Sequence, residues 1–447
     1  MICLYNLRTL EIEMNEWVVS LKAYLKPNLL QITLLGLLAG IPLGMIADPL
    51  NYWLSKSGID RASIGLLSGV FLTYSFKALW APLVDRIQIF KLKDIGQRKS
   101  WLLAAQAFSF IFLILIGLND PKENFSLLVF CVFALAFFSA TQDICIDALR
   151  IELVESKELG NSAAVYQFGY RIGAVYISQV LGLLIGGLVG YSLAYLTVAL
   201  LFIALCILIY YKMPEPEREI RPYISVFSEP KNWFKDSFVE PVKDLYQRYQ
   251  SEVLLLLLLI FFYRLSDVFL GPMAMPFYRE IGFSETEVAL VTNAFGALVT
   301  IVGVFAGGLL VHKWGLEINI LYGAILTALT NLPFVYLNLL ASDLDPTNEF
   351  RFLWVVIGMD NFTQGYVGTI AITFVSRVVS QSYTATQYAF LVLLGILPSR
   401  LVGMFSGYVV NDFGYHDFFL IASALGIPAI LISYIVWKKK LIFSSSG

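Results

Sequence analysis

Residues 137–150 read FFSATQDICIDALR, a run that sets Gln142, Asp143, Asp147 and Arg150 inside a long apolar stretch. Asp143, Asp147 and Arg150 recur at i, i+4 and i+7, which puts them on one face of a helix. An ionisable group at the centre of a bilayer costs roughly 2.5–3.5 kcal/mol on insertion scales. A cluster of three is therefore either a functional site or an ion-pair seam at the membrane edge.

The rest of the chain says that a bilayer is the solvent. Of 447 residues, 58% are hydrophobic, 15% aromatic and 14% charged, with a mean hydropathy of +0.73. Soluble domains carry roughly 25% charged residues, so an integral membrane protein is expected. A net charge of −2 says little when the bilayer dominates partner choice. Cys3, Cys131, Cys145 and Cys206 show no pairing logic; Cys131 and Cys145 would sit about 21 Å apart on one helix. With two histidines, His312 and His416, both expected in loops, a His-rich metal site is not indicated. No metal or cofactor is expected.

Twelve apolar segments are each long enough to cross a hydrocarbon core of about 30 Å. They run near 29–50, 62–86, 100–118, 125–150, 160–187, 190–211, 251–272, 285–311, 318–340, 352–377, 384–410 and 415–437. The expected architecture is all-α, two six-helix bundles over 29–211 and 251–437. A cytoplasmic segment (1–28), a linker (212–250) and a tail (438–447) complete it. Residues 1–28 hold charges and no cleavable apolar core. Residues 1–13 read as an unstructured extension, and MNEWVVSLKAYLKP from Met14 resembles an interfacial helix. An amphipathic piece near Trp233–Tyr249 is expected on the inner membrane face.

Orientation follows from lysine and arginine. Only Lys56, Arg61, Lys122, Arg279 and Arg351 fall in outside loops, and Lys77, Arg171, Arg264 and Arg400 lie within helices. The remaining 22 of the 31 are on the other side, among them Lys91, Lys93 and Lys438–Lys440, which makes both termini cytoplasmic. The halves also echo one another. Gly58-Ile59 recurs as Gly282-Phe283, and Thr141-Gln142 as Thr363-Gln364. Duplicated six-helix halves are a mark of secondary transporters.

The chemistry lies with the charges at depth. Counting about 1.5 Å per residue puts Lys77, Arg171 and Arg264 close to the midplane and Arg400 further out. Asp143, Asp267 and Asp360 are the acids at comparable depth, with Arg264 and Asp267 spaced to pair. Excess positive charge points to an anionic small solute, because the arginine fork matches carboxylate or phosphate. Lys77, Gln142, Tyr170, Arg171, Arg264 and Arg400 are the expected substrate contacts. Lys77 and Arg171 could instead be neutralised by carboxylates such as Asp143. Asp143 and Asp267 are the expected proton carriers. Asp85, Arg86, Asp147 and Arg150 are expected to form a gate at the inner edge. Pro42, Pro49, Pro82, Pro272, Pro276 and Pro398 should interrupt helices around a cavity. No Walker sequence or nucleophile–base pair appears, so neither ATP-driven transport nor an enzyme is indicated.

Several motifs together resemble a known family. SFKALWAPLVDR (75–86), GQRKSWLLAAQ (96–106), SATQDICIDA (139–148) and GYRIG (169–173) are similar to the AmpG-type muropeptide permeases of the major facilitator superfamily. In the second half YRLSD (263–267), GFSETEVALVTNAFGALVTIVG (282–303) and TATQYAF (384–390) agree. The resemblance implies proton-driven import of anhydromuropeptides across a bacterial inner membrane during cell-wall recycling. A monomer with no nucleic-acid partner is expected. Competing readings are the same fold carrying another anion, such as an acetyl-CoA-like metabolite or a siderophore, and a membrane sensor without a transport cycle.

Overall fold

The computed structural model describes residues 24–87, 89, 95–216, 229–340 and 346–442. The expected N-terminal extension and interfacial helix, with Lys91 and Lys93, lie outside the described residues apart from Tyr24 to Pro27. Every described element is helical.

The first half holds α1 (Pro27–Met45, continued by Asp48–Lys56). Next come α2 (short pieces from Arg61–Leu67 to Ala81–Arg86), α3 (Gln97–Leu118) and α4 (Phe125–Glu152). It ends with α5 (Leu159–Arg171 running on to Leu181–Leu188) and α6 (Tyr191–Lys212). The second half opens with α7 (Val253–Phe262 and Leu265–Glu280), α8 (Glu285–Val288 through Gly296–Trp314) and α9 (Leu316–Thr330 and Leu332–Leu340). α10 (Pro346–Val378) and α11 (Thr384–Gly403) follow. The helix Ser406–Ala424 is split by non-helical Gly414, φ 76° and ψ 172°, so its first part extends α11 and its second joins Ile427–Lys439 as α12.

Among the described residues ten helices are long and apolar enough to cross a membrane. Two of the twelve expected spans fall short for visible reasons. α2 is broken into pieces around Lys77 and Pro82, and α10 carries Asp360, Asn361 and Gln364 in its middle. Prolines mark the interruptions as expected. Pro42, Pro272, Pro276 and Pro398 sit inside helices, whereas Pro49 and Pro82 open new ones, where a missing N–H costs nothing. His312 and His416 both fall within helices rather than loops, because the connections at Gly315 and Gly414 shrink to a single glycine.

The duplication shows in the backbone. The glycines with positive φ among the described residues form three pairs: Gly58 and Gly282, Gly96 and Gly315, Gly190 and Gly414. Each pair precedes corresponding helices, α2 and α8, α3 and α9, α6 and α12. Only glycine enters this region without penalty, so the turns are fixed in both halves even where the letters have drifted.

Helix packing uses small residues, as expected where lipid removes any hydrophobic drive between helices. A Cβ on Gly169 or Gly173 would collide with the carbonyls of Thr33 or Leu37, and one on Gly36 or Gly40 with those of Tyr166 or Tyr170. α1 and α5 therefore cross with backbones touching. The two halves meet near the end that carries Lys26 and Lys439, called here the termini side. There α5 packs against α8 and α10, and α11 against α2 and α4.

Candidate functional site

Three of the four deep cations sit where a helix is irregular. Lys77 opens a 3-10 turn in α2, Arg171 ends an α-helical stretch directly before a π-helical one (Ile172–Val180), and Arg264 occupies the break in α7 with φ −118° and ψ 5°. Irregular backbone at membrane depth is tolerated where it lines a cavity or is buried in protein. Arg400 differs, lying in the last turn of a regular helix, exposed, two turns from Leu393, which faces α2.

The termini side is closed by polar contacts between the halves. Asp85 is buried and works in both directions. Its Oδ1 accepts from Arg98 Nη2 at 2.8 Å, and its Oδ2 accepts from Thr386 N at 2.8 Å and Thr386 Oγ1 at 2.6 Å. Thr386 lies in the first turn of α11, whose N–H groups have no helical acceptor, so a carboxylate from the first half caps a helix of the second. Arg98, fully buried, also binds Glu152 at 2.7 Å, and Glu215 caps α3 by accepting from Arg98 N at 2.8 Å and Lys99 N at 3.1 Å.

Arg150 donates to Ser376 Oγ at 3.0 Å across the halves and lies 5.6 Å and 5.4 Å from the rings of Tyr166 and Tyr388. Asp85 was expected to meet Arg150 or Asp147. Its partners are instead Arg98 and Thr386, because α3 begins beside the end of α2. Arg86 was expected at the gate with Asp85. It reaches the linker, pairing with Asp236 at 2.7 Å. The linker helix Glu240–Tyr249 is tied to the second half in turn: Gln387 Nε2 donates to Pro241 O and Asp244 Oδ2, both at 2.8 Å, and Arg248 donates to Val378 O at 2.7 Å.

Deeper in the first half, Lys77 Nζ binds Asp147 Oδ2 at 2.9 Å, and Asp147 Oδ1 is 4.0 Å from Arg150. Asp147 thus links the deep cation to the gate, and Lys77, expected at the substrate, follows the alternative of neutralisation by a carboxylate, with Asp147 rather than Asp143 as the partner. Asp143 is 8% exposed and its Oδ1 has no hydrogen-bond partner among the described residues. Gln142, expected at the substrate, is fully buried: its Nε2 donates to Leu38 O at 3.0 Å and ties α4 to α1. Tyr170 stands 6.2 Å ring to ring from Tyr166.

In the second half Arg264 lies 3.7 Å from Asp267, the pairing expected from their spacing. Gln364 Nε2 donates to Asp360 Oδ2 at 2.8 Å. The Arg264 side chain remains 42% exposed although it sits between the halves. An arginine held against hydrocarbon would be costly, which argues for a polar, water-accessible setting rather than lipid around this side chain. Arg171 interacts electrostatically with Arg264 and forms no ion pair among the described residues. Sequence reading missed Arg98, Glu152, Ser376 and Thr386. Arg98 and Thr386 carried a signal, their places in GQRKS and TATQYAF.

The same architecture and sequence occur elsewhere. The model of the Major Facilitator Superfamily matches residues 32–399. A Rickettsia felis chain named as a transporter, AmpG 4, is 33% identical over 92% of this chain and 97% of its own length. A Rickettsia conorii chain named AmpG 1 is 32% identical over 90% and 96%. The chain belongs to the AmpG-type permeases of the major facilitator superfamily. Two solved structures share the permease's fold at a TM-score of 0.64 and 14% identity. The proton:xylose symporter XylE matches over 93% of this chain and 96% of its own, and the human organic anion transporter MFSD10 over 91% and 99%. The permease is therefore a multi-pass membrane transporter and not an enzyme.

Proposed function

We propose that this permease imports anhydromuropeptides together with protons across a bacterial inner membrane, serving cell-wall recycling. The observation that supports this most is the charge at the cavity floor. Arg171 and Arg264, from opposite halves, interact electrostatically, with Asp267 3.7 Å from the second and Asp360 also within its field. A muropeptide carries carboxylates that match a guanidinium fork, and its sugar rings suit the aromatic faces of Tyr166 and Tyr170. The relatives' AmpG names agree with this cargo.

Asp143 is the coupling carboxylate of the reading. It interacts with the Lys77–Asp147 pair, and its buried Oδ1 has no hydrogen bond among the described residues to compete for a proton. The termini side is cytoplasmic, so the described conformation faces the periplasm and waits for cargo. Asp267 is the second acid, and Asp85, Asp147 and Arg150 hold the cytoplasmic gate.

The test is uptake of labelled anhydromuropeptide into proteoliposomes, with and without an inward proton gradient. Accumulation that rises with the gradient is expected. Absence of uptake by correctly inserted protein, with uptake of a different organic anion in the same vesicles, would replace the cargo.

A further inference from the structure

Between the halves, α5 of one is hydrogen-bonded to α10 of the other by a side-chain pair. Gln167 Nε2 donates to Thr369 Oγ1 at 2.7 Å. Beside it lies Gly368, and a Cβ placed there would stand 3.0 Å from Gln167 Oε1 and 3.9 Å from Arg264 Nη1. The amide of the first half and the guanidinium of the second thus converge on the same glycine. Arg171 follows Gln167 by one helical turn on the same face of α5, so it stands just above the pair on the cavity side. Below this level the halves are packed tightly, with a Cβ on Gly160 reaching 2.9 Å from Val311 and one on Gly308 reaching 2.9 Å from Ala164. Above it, the Arg264 side chain is 42% exposed.

We propose that Gln167 is a cargo-sensing residue: an anionic group entering between Arg171 and Arg264 takes the Gln167 amide N–H away from Thr369, so that binding itself breaks the floor contact between the halves. The proposal rests on the anionic-cargo reading above. A carboxylate or phosphate oxygen is the stronger acceptor, since charge-assisted hydrogen bonds are about twice as strong as neutral ones. The exchange also supplies what transport requires thermodynamically. A ligand that binds two conformations equally shifts nothing, whereas one that removes a contact present in only the closed floor favours its opening. Thr369 keeps the carbonyls of Val304 and Gly365 as partners, each at 3.1 Å, and is not stranded when Gln167 leaves.

The experiment places spin labels at Lys157→Cys and Gln381→Cys, exposed positions on the termini side of opposite halves, with the native cysteines replaced by alanine. Distances in nanodiscs are read by pulsed paramagnetic resonance. In the otherwise native chain, added inorganic phosphate, N-acetylmuramic acid or anhydromuropeptide should lengthen the distance. Gln167→Ala should populate the long distance without any anion, roughly two- to tenfold above the native level, the worth of one net hydrogen bond. Thr369→Val removes the other partner at nearly constant volume and should do the same. Resting distributions like the native one in both variants would overturn the sensing role, even with muropeptide uptake intact. A response to phosphate or N-acetylmuramic acid but none to muropeptide would keep the sensing role and sink the cargo assignment.

Discussion

Arg171 and Asp143 carry different halves of the proposed chemistry, and single substitutions separate them. Arg171 has no carboxylate partner among the described residues, which leaves its charge to cargo. Arg171→Gln should weaken binding of an anhydromuropeptide by about 1.5–3 kcal/mol, the range for a hydrogen bond to a charged group. Equilibrium dialysis with labelled ligand measures this, and unchanged affinity would make Arg171 a packing residue. Asp143→Asn keeps the volume and removes the proton site. Uptake driven by the proton gradient should be lost, while cargo exchange across vesicles at equal pH persists. Wild-type gradient-driven uptake would end the coupling role. The sequence made these two residues visible because an uncompensated charge in an apolar run is conspicuous. Gln167 was invisible for the opposite reason, since a neutral amide costs little at depth and leaves no mark on hydropathy. The pairing of Lys77 with Asp147 rather than Asp143 was hidden as well. Both acids share one helical face, and only the kinked path of α2 decides between them.

At the scale of elements, membrane spans and orientation patterns are written in composition, whereas helix crossings are written in small residues. Gly173 fits against the Leu37 carbonyl with no room for a methyl group, while a Cβ on Gly187 would meet nothing within 4 Å. Gly173→Ala should therefore reduce the yield of monodisperse protein and its melting temperature, because the obstacle is backbone that cannot rotate away. Gly187→Ala should be neutral in the same size-exclusion and thermal assays, within about 0.5 kcal/mol for a site away from special contacts. Equal behaviour of the two would refute the close-crossing account. The repeat was legible in Gly58 and Gly282, since a left-handed turn admits few other residues. The breaks in α2, α5 and α7 were only partly so. Proline announced the break near Lys77, but nothing in the letters announces the π-helical stretch after Arg171 or the interruption at Arg264.

For the whole molecule the question is what holds the two halves closed on the termini side. Asp85 and Arg150 make direct contacts, with Thr386 and Ser376 respectively, and Tyr24 donates to Phe305 O at 3.0 Å. The linker adds an indirect one, since Asp236 binds Arg86 of the first half while Pro241, Asp244 and Arg248 hold Gln387 and Val378 of the second. A strap fastened at both ends must loosen when the halves separate, so it biases the equilibrium without touching cargo. Its first fastening is partly solvent-exposed, Asp236 at 22%, which limits its worth to about 1 kcal/mol. Arg86→Asp should break it and raise the fraction open on the termini side by roughly fivefold, the ratio that corresponds to about 1 kcal/mol. The exchange Arg86→Asp with Asp236→Arg should restore the pair and return the distribution toward the native one. Distances between labels at Lys157→Cys and Gln381→Cys read both effects. A double variant no closer to native than the single would mean that Arg86 acts through the ring of Tyr383, 5.3 Å away, and not through the strap.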